Sequence, residues 1–554
     1  MPEGTPTGAS STTGQPTPPA SGPTPARGGL ALNRLGGAAA LMMAAVLASR
    51  VIGYVRQAYI AWAFGASPQT DAYNVAFTIP NWLNYLVAGG ALSITFITIF
   101  SPYLARGEER EGYRVFSIVA TFMAVALTAG VILGEIFAPQ LLRLYMPGFS
   151  AEQLVLCVRM TRILLPAQLF FGVGGLICAT LYARGVFWLP ALAPLFYSTS
   201  IIFGGVLLSH WLGITSLAVG ALVGAGIGPF LFPLFGAKRG GLGFHFNFHF
   251  RDPAFLHWLK LTLPLMIGVS LVSADDWIMQ PLSATFHGAI TELVYAKQLM
   301  RAPTAVLGQA VGQATMPFFA WLVAENRWDE LRETLDRAVV KTATAAVLAT
   351  SYLAALALPL TELVYLRGRL DLAAARWTAL YLTIFVISLA FWAVQGLYSR
   401  AFYAAGDTLT PMVAGTIVTA AVIPIYILLA HRFAVPGLAI ASDTGMIIYT
   451  LVLAGLLHRR HWLGASMVRW RVMPRVILVA ALAGGAAFGV ARYFEPARYA
   501  GLPVLGLVVA ASVVWLALVI VLARLLGLRP LLDEAWRLGR RAWAKITPRA
   551  AAAS

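Results

Sequence analysis

From about residue 36 to residue 527 the chain is a succession of apolar runs, each about twenty residues or longer, separated by short breaks of charge, glycine and proline. About twenty helical residues cross a hydrocarbon layer about 30 Å thick, and a helix satisfies its own backbone N–H and C=O groups there. The pattern predicts an all-α polytopic membrane protein with about fourteen transmembrane helices, near 36–64, 72–104, 113–137, 152–184, 189–210, 214–236, 254–286, 290–323, 332–360, 373–405, 410–431, 435–457, 475–494 and 500–527. Composition agrees, with 59% hydrophobic and 11% charged residues against about 25% charged in a soluble domain.

A formal charge of +17 needs no nucleic acid to explain it. With the N-terminal tail in the cytoplasm, the loops on that side hold Arg106, Arg110 and Arg114, then Lys238, Arg239 and Arg251, then Arg459, Arg460, Arg469, Arg471 and Arg475. The opposite loops hold few, among them Arg143, Arg367 and Arg369. This is the positive-inside pattern, and it places both termini in the cytoplasm. Residues 1–34 are rich in Pro, Gly, Ser and Thr and read as a disordered tail. Residues 529–554, with Trp536, Arg537, Arg540 and Arg541 between Leu531 and Ile546, read as a basic amphipathic tail on the inner leaflet.

The chain repeats itself. Leu181-Tyr182-Ala183-Arg184-Gly185 with Pro190 matches Phe402-Tyr403-Ala404-Ala405-Gly406 with Pro411, at an offset of 221 residues (406 minus 185). Six spans separate the copies, an even number, so both halves enter the membrane in the same sense. Parallel repeats of this kind place the substrate path between two lobes. These are expected at 35–236 and 237–458, with two further helices within 459–528.

Within this apolar frame a few polar residues stand out. Arg50 and Arg56 lie in the first span, where a guanidinium at the helix centre costs at least about 2.5–3.5 kcal/mol and does not lose its proton. Six residues apart, they point about 120° apart around the helix, which suits two walls of a wet chamber. Span 8 adds Lys297, Gln298 and Arg301, the two cations four apart and on one side. Four cations on facing lobes predict a cavity for an anion, with diphosphate the natural ligand of an arginine fork, though a carboxylate would satisfy the same groups. Asp71 opens span 2, which also carries Asn74, Asn81 and Asn84. It reads equally as a helix cap with Thr70 or as a gate paired with a span 1 arginine. Asp275 and Asp276 in span 7, with Ser442 and Asp443 in span 12, read either as a coupling site for Na⁺ or H⁺ or as counter-ions to the chamber's cations. His245 and His249 alternate with phenylalanines and read as an interfacial aromatic segment rather than a metal pair. No nucleophile–base pair or phosphate-binding loop is visible, so a transporter is expected rather than an enzyme, with no cofactor and no metal.

The run Ser49-Arg50-Val51-Ile52-Gly53-Tyr54-Val55-Arg56, followed by Phe64-Gly65-Ala66, Thr70-Asp71-Ala72 and Ile79-Pro80-Asn81, resembles the MurJ (MviN) family. These are lipid II flippases of peptidoglycan synthesis in the MATE-like, or MOP, exporter superfamily. The resemblance continues through Pro303 to Gly308 and Phe402 to Thr408 and covers roughly residues 35 to 525. It implies two six-helix lobes around a central cavity, alternating access in the bacterial inner membrane, and a lipid-tail groove formed by the last two helices. It also implies lipid II as the ligand and the cell-wall synthesis machinery as partners. Arg50, Arg56 and Asp71 match the family's pattern. Asn84 stands where an arginine is usual, and Lys297-Gln298 and Arg301 stand where an Asp-Arg pair and an acidic residue are usual. The substrate-binding cavity is therefore assigned to Arg50, Arg56, Lys297, Arg301, Asn84 and Gln298, and the gate to Ser49, Asp71 and Asn81. The resemblance also suggests a sodium site to which span 11, around Pro424, brings no polar partner. The alternatives are a flippase for another polyprenyl-linked glycan, which shares the diphosphate, and a multidrug antiporter, whose cationic cargo the positive cavity disfavours.

Overall fold

The computed structural model describes residues 45, 48–88, 91–267, 271–462, 470–494 and 503–528. The two tails read at 1–34 and 529–554 lie outside the described residues. Helices joined by turns make up the described residues, with no strand among them.

The first half of the chain builds α1 (48–64), α2 (Pro68–Ala76), α3 (Thr78–Ala88), α4 (Ala91–Ala105) and α5 (Glu109–Tyr145). It continues with α6 (Ala151–Leu164), α7 (Ala167–Ala183), α8 (Trp188–Leu212), α9 (Thr215–Ala225) and α10 (Phe232–Arg239). The second half builds α11 (Pro253–Ile267), α12 (Leu271–Ser283), α13 (Ala289–Thr304), α14 (Val311–Ala324), α15 (Trp328–Ala355) and α16 (Ala357–Tyr365). Then come α17 (Leu372–Phe385), α18 (Leu389–Ala404), α19 (Leu409–Arg459), α20 (Met473–Tyr493) and α21 (Val504–Leu525).

Nine described helices, some formed by two consecutive elements, are long and apolar enough to cross a membrane. The longest, α19, is a hairpin of the two segments expected at 410–431 and 435–457. The chain turns at Ala434, and Tyr449 Oη returns to donate to the carbonyl of Pro411 at 3.0 Å. The segments expected as spans 1, 2, 7 and 8 are not among those nine. Span 2 is divided at Phe77, and span 8 passes through a π-helical turn at Ala305–Ala310, just after Pro303. A proline removes an N–H and crowds the preceding turn, which loosens the regular hydrogen bonding of span 8 there. Spans 1, 2, 7 and 8 together carry nearly all of the candidate site residues.

The repeat is written in the backbone. Gly185 and Gly406 close corresponding turns with φ of +75° and +76°. Gly213 ends α8 at φ 54° and ψ −137°, and Ala434, 221 residues later (434 minus 213), adopts φ 52° and ψ −136°. Helices α8 and α9 meet closely enough that a Cβ on Gly220 would stand 2.6 Å from the carbonyl of Ser200, the small-residue packing typical of membrane helices.

The cores divide mainly along the same line. Buried residues from Met279 to Leu457 form one large cluster, and two others draw mainly on residues from Ile60 to Trp258. Ala61 of α1 is buried with Tyr295 and Tyr365 of the second half, Ile290 of α13 is buried with the first, and span 7 meets both. Phe255 and Trp258 of α11 are buried with Phe96, Phe116 and Leu176 of the first half. Met279 of α12 belongs to the core of the second. The segment before α11 is also tied to the first half: the amides of His245 and Asn247 donate to Ser117 Oγ and Thr121 Oγ1, and Arg114 pairs with Asp252 at 2.6 Å.

Candidate functional site: a cation-lined cavity between the halves

Helix α1 presents its two arginines to different neighbours, as their spacing requires. Arg50 lines a cavity of about 250 Å³ together with Asp275 and Asp276 of α12, Lys297 and Arg301 of α13, and Ser442 of α19. Phe385 and Trp392 complete its apolar wall. Arg56 does not line this cavity; it turns to the first half, where Nη1 donates to Ser198 Oγ of α8 at 3.4 Å. The expected four-cation chamber therefore has three cations in this conformation. Ser49 is half-buried beside Arg50.

Lys297 is held tightly. Its Nζ lies 2.6 Å from Asp275 Oδ2 and 2.5 Å from Asp276 Oδ1. Asp275 accepts further hydrogen bonds from Ser442 Oγ at 3.0 Å and from Tyr426 Oη. Of the two readings open for these carboxylates, their contacts fit counter-ions to Lys297. Span 11 does bring a polar partner, contrary to expectation, because Tyr426 follows Pro424 by two residues and turns its hydroxyl inward. A phenol deep in an apolar hairpin was the available signal. Asp443 stands apart from the cavity lining: it accepts from Ser388 Oγ at 2.5 Å, and its Oδ2 is buried with no hydrogen-bond partner. Gln298 is buried. Its side chain accepts from Arg301 Nη1 at 3.2 Å and its carbonyl from Tyr54 Oη at 2.8 Å, so it braces α13 against α1.

Asn81 and Asn84 belong elsewhere. They line a second pocket in the first half with Phe77, Gln168, Phe171 and Tyr197. Asn84 Nδ2 donates to Gln168 Oε1 at 2.8 Å. Assigning Asn84 to the cation cavity and Asn81 to the gate is corrected accordingly: neither touches the three cations or the closure described next.

The gate residue Asp71 has a partner that neither expectation named. Ser67, rather than Asp71, caps α2, accepting from the amide of Thr70. Asp71 is 1% exposed and reaches across to the start of α13. Its Oδ2 accepts from the amide of Gly288 at 2.6 Å, and its Oδ1 accepts from the amide and hydroxyl of Thr291 at 2.8 and 2.7 Å. In place of an arginine it meets the N-terminal amides of a helix, which attract an anion. Neighbouring contacts close the same end: the amide of Arg369 donates to the carbonyl of Trp62 at 2.9 Å, and Asn74 Nδ2 to Thr291 Oγ1 at 3.0 Å.

A repeated bundle of long apolar helices with a charged cavity between its halves defines a polytopic membrane protein. Among solved structures the chain is similar to a lipid II flippase MurJ in its inward closed conformation, with a TM-score of 0.71 and 22% identity over 88% of this chain and 99% of that one. It is also similar to a multidrug resistance MATE family transporter of the MOP superfamily in its inward-facing conformation, with a TM-score of 0.59 and 13% identity over 76% and 98%. The family model for lipid II flippase MurJ matches residues 60–509. A probable lipid II flippase MurJ of Rhizobium meliloti (strain 1021) is 25% identical over 498 residues, 85% of this chain and 91% of that protein. The lipid II flippase MurJ of Burkholderia cenocepacia is 29% identical over 378 residues, 66% and 72%. The chain belongs to the MurJ family. It is a multi-pass bacterial inner-membrane transporter, not an enzyme.

Proposed function

We propose that this protein moves lipid II, the undecaprenyl-diphosphate-linked disaccharide-pentapeptide, from the inner to the outer leaflet by alternating access of its two halves. One observation carries the reading: Arg50 from the first half and Lys297 and Arg301 from the second line a single cavity. A diphosphate needs converging cationic donors, and arginine supplies them in pairs. The two lobes, 35–236 and 237–458, rock about this cavity, and the helices of 459–528 take the lipid tail. With the termini in the cytoplasm, the contacts of Asp71 lie at the outer face and hold that side shut while the head group enters from within. The membrane potential acts on the cavity's cations with about 2.3 kcal/mol per charge per 100 mV and drives the return. Because Lys297 occupies Asp275 and Asp276, this step takes no Na⁺ or H⁺ at that pair. The enzymes that make and polymerise lipid II are the natural partners on the two faces.

Complementation tests the reading. A bacterium whose own lipid II flippase is shut off is expected to survive on this chain and to expose lipid II on its outer leaflet, and Arg50→Ala is expected to abolish the rescue at unchanged protein level. A well-inserted wild-type chain that fails to rescue would shift the substrate to another polyprenyl-linked glycan.

A further inference from the structure

The cavity holds three cations and two carboxylates, so its formal charge is only +1 (3 minus 2). Lys297 is the most enclosed of the cations, its side chain 16% exposed, and it spends two of its three N–H donors on Asp275 and Asp276. The two carboxylates are not held alike. Asp275 is fixed by Ser442 and Tyr426 as well as by Lys297, and is 8% exposed. Asp276 is 42% exposed, and Lys297 is the group it pairs with.

From this asymmetry we infer that Lys297 is a masked anion-binding group, which Asp276 covers and an entering diphosphate uncovers. The inference rests on the flippase reading and adds how its cavity admits substrate. A diphosphate presents more charge to the ammonium than one carboxylate does, and it engages Arg50 and Arg301 at the same time. The bond to the half-exposed Asp276 is the one it replaces; the bond to the buried, triply held Asp275 persists. Asp276 lies on α12 and Lys297 on α13, so capture of the anion also removes one of the two ties between these helices. The masking sets a threshold: an isolated phosphate engages too few groups to displace Asp276, whereas a diphosphate spanning the lysine and the arginines does so.

Removing the competing carboxylate should therefore tighten binding, the opposite of what damage to a site does. The experiment measures binding of undecaprenyl diphosphate and of inorganic phosphate to the purified full chain. Asp276→Asn is expected to bind undecaprenyl diphosphate about tenfold more tightly than wild type and to gain measurable affinity for inorganic phosphate. Asp276→Glu, which keeps the charge, stays near wild type, and Lys297→Met added to Asp276→Asn abolishes the gain. Unchanged or weaker binding by an Asp276→Asn protein that melts like wild type overturns the inference, as does a gain that survives Lys297→Met. The flippase reading fails separately, through loss of complementation by the wild-type chain.

Discussion

The closure built on Asp71 makes a quantitative prediction. Its carboxylate accepts three hydrogen bonds of 2.6 to 2.8 Å from Gly288 and Thr291, across the two halves. Hydrogen bonds to a charged group contribute about 1.5–3 kcal/mol each, and an anion at a helix N-terminus adds about 0.3–1 kcal/mol. Asp71→Asn keeps one acceptor oxygen and turns an NH₂ toward a backbone N–H, so at least one bond is lost and the charge term with it. Against this, asparagine is cheaper to bury than a carboxylate, which returns part of the loss. The net is about 1–3 kcal/mol less stability for the closed end, or about 5- to 150-fold in the equilibrium between closed and open forms. Spin labels on cysteines at Gln69 and Arg367, both exposed near this closure and on opposite halves, report the separation directly. Cys157 and Cys178 are first changed to serine. Wild type should give a single short distance, and Asp71→Asn a second, longer one in proportion to the shift. Thr291→Val, which removes one donor from the same carboxylate, should move the distribution the same way by less. A distance distribution unchanged in a folded Asp71→Asn protein would refute the argument that these bonds hold the end shut.

Two further predictions concern the frame. Ala434 holds a backbone conformation that its repeat partner gives to Gly213, and a non-glycine residue there carries about 1–3 kcal/mol of strain; Ala434→Gly should stabilise the protein by about 1 kcal/mol after the entropy cost of glycine. Gly213→Ala, where nothing stands within 4 Å of an added Cβ, should destabilise it by a similar amount, and unfolding in detergent reads both. At the turn before α19, burial alone would raise the pKa of Asp407, but the hydroxyl and amide of Thr410 and the guanidinium of Arg460 outweigh it and hold the carboxyl below its usual range. A lowered value in the folded state means the contribution is complete above the ordinary aspartate pKa of about 3.9 and fades as pH falls through the lowered one. Wild type should therefore lose thermal stability more steeply than Asp407→Asn below about pH 4.

Much of this architecture is legible in the sequence because it follows from solvent. Long apolar runs must become helices in hydrocarbon, and the repeat at 221 residues surfaces again in the dihedrals of Gly213 and Ala434. The polar residues were legible as a set, since each costs too much in lipid to be there without a partner. Which partner was not. The 120° between Arg50 and Arg56 separates their directions, but only the packing of α8 shows that Arg56 meets Ser198. The sequence around Asp71 points to its own helix or to an arginine, whereas the carboxylate serves the amides at the head of α13, the first of them Gly288, 217 residues later (288 minus 71). Tyr426 was passed over because an aromatic ring in an apolar hairpin is ordinarily packing; its hydroxyl finds Asp275 only because the hairpin folds beside α12.

The segment that joins the halves has a mechanical consequence. With its amides tied to Ser117 and Thr121 and Phe255 and Trp258 buried among first-half residues, the connection between the halves has no slack on the cytoplasmic side. It travels with the first half as far as α11, whereas α12 faces both: Met279 is buried in the core of the second, and Trp277 packs against Trp82 and Tyr85 of the first. The loop therefore acts as a strut carried by the first half rather than a slack tether between the two. Hydrogen exchange along 243–252 that stays the same between conformations would bear out the strut; exchange that changes there would make the loop the flexing element.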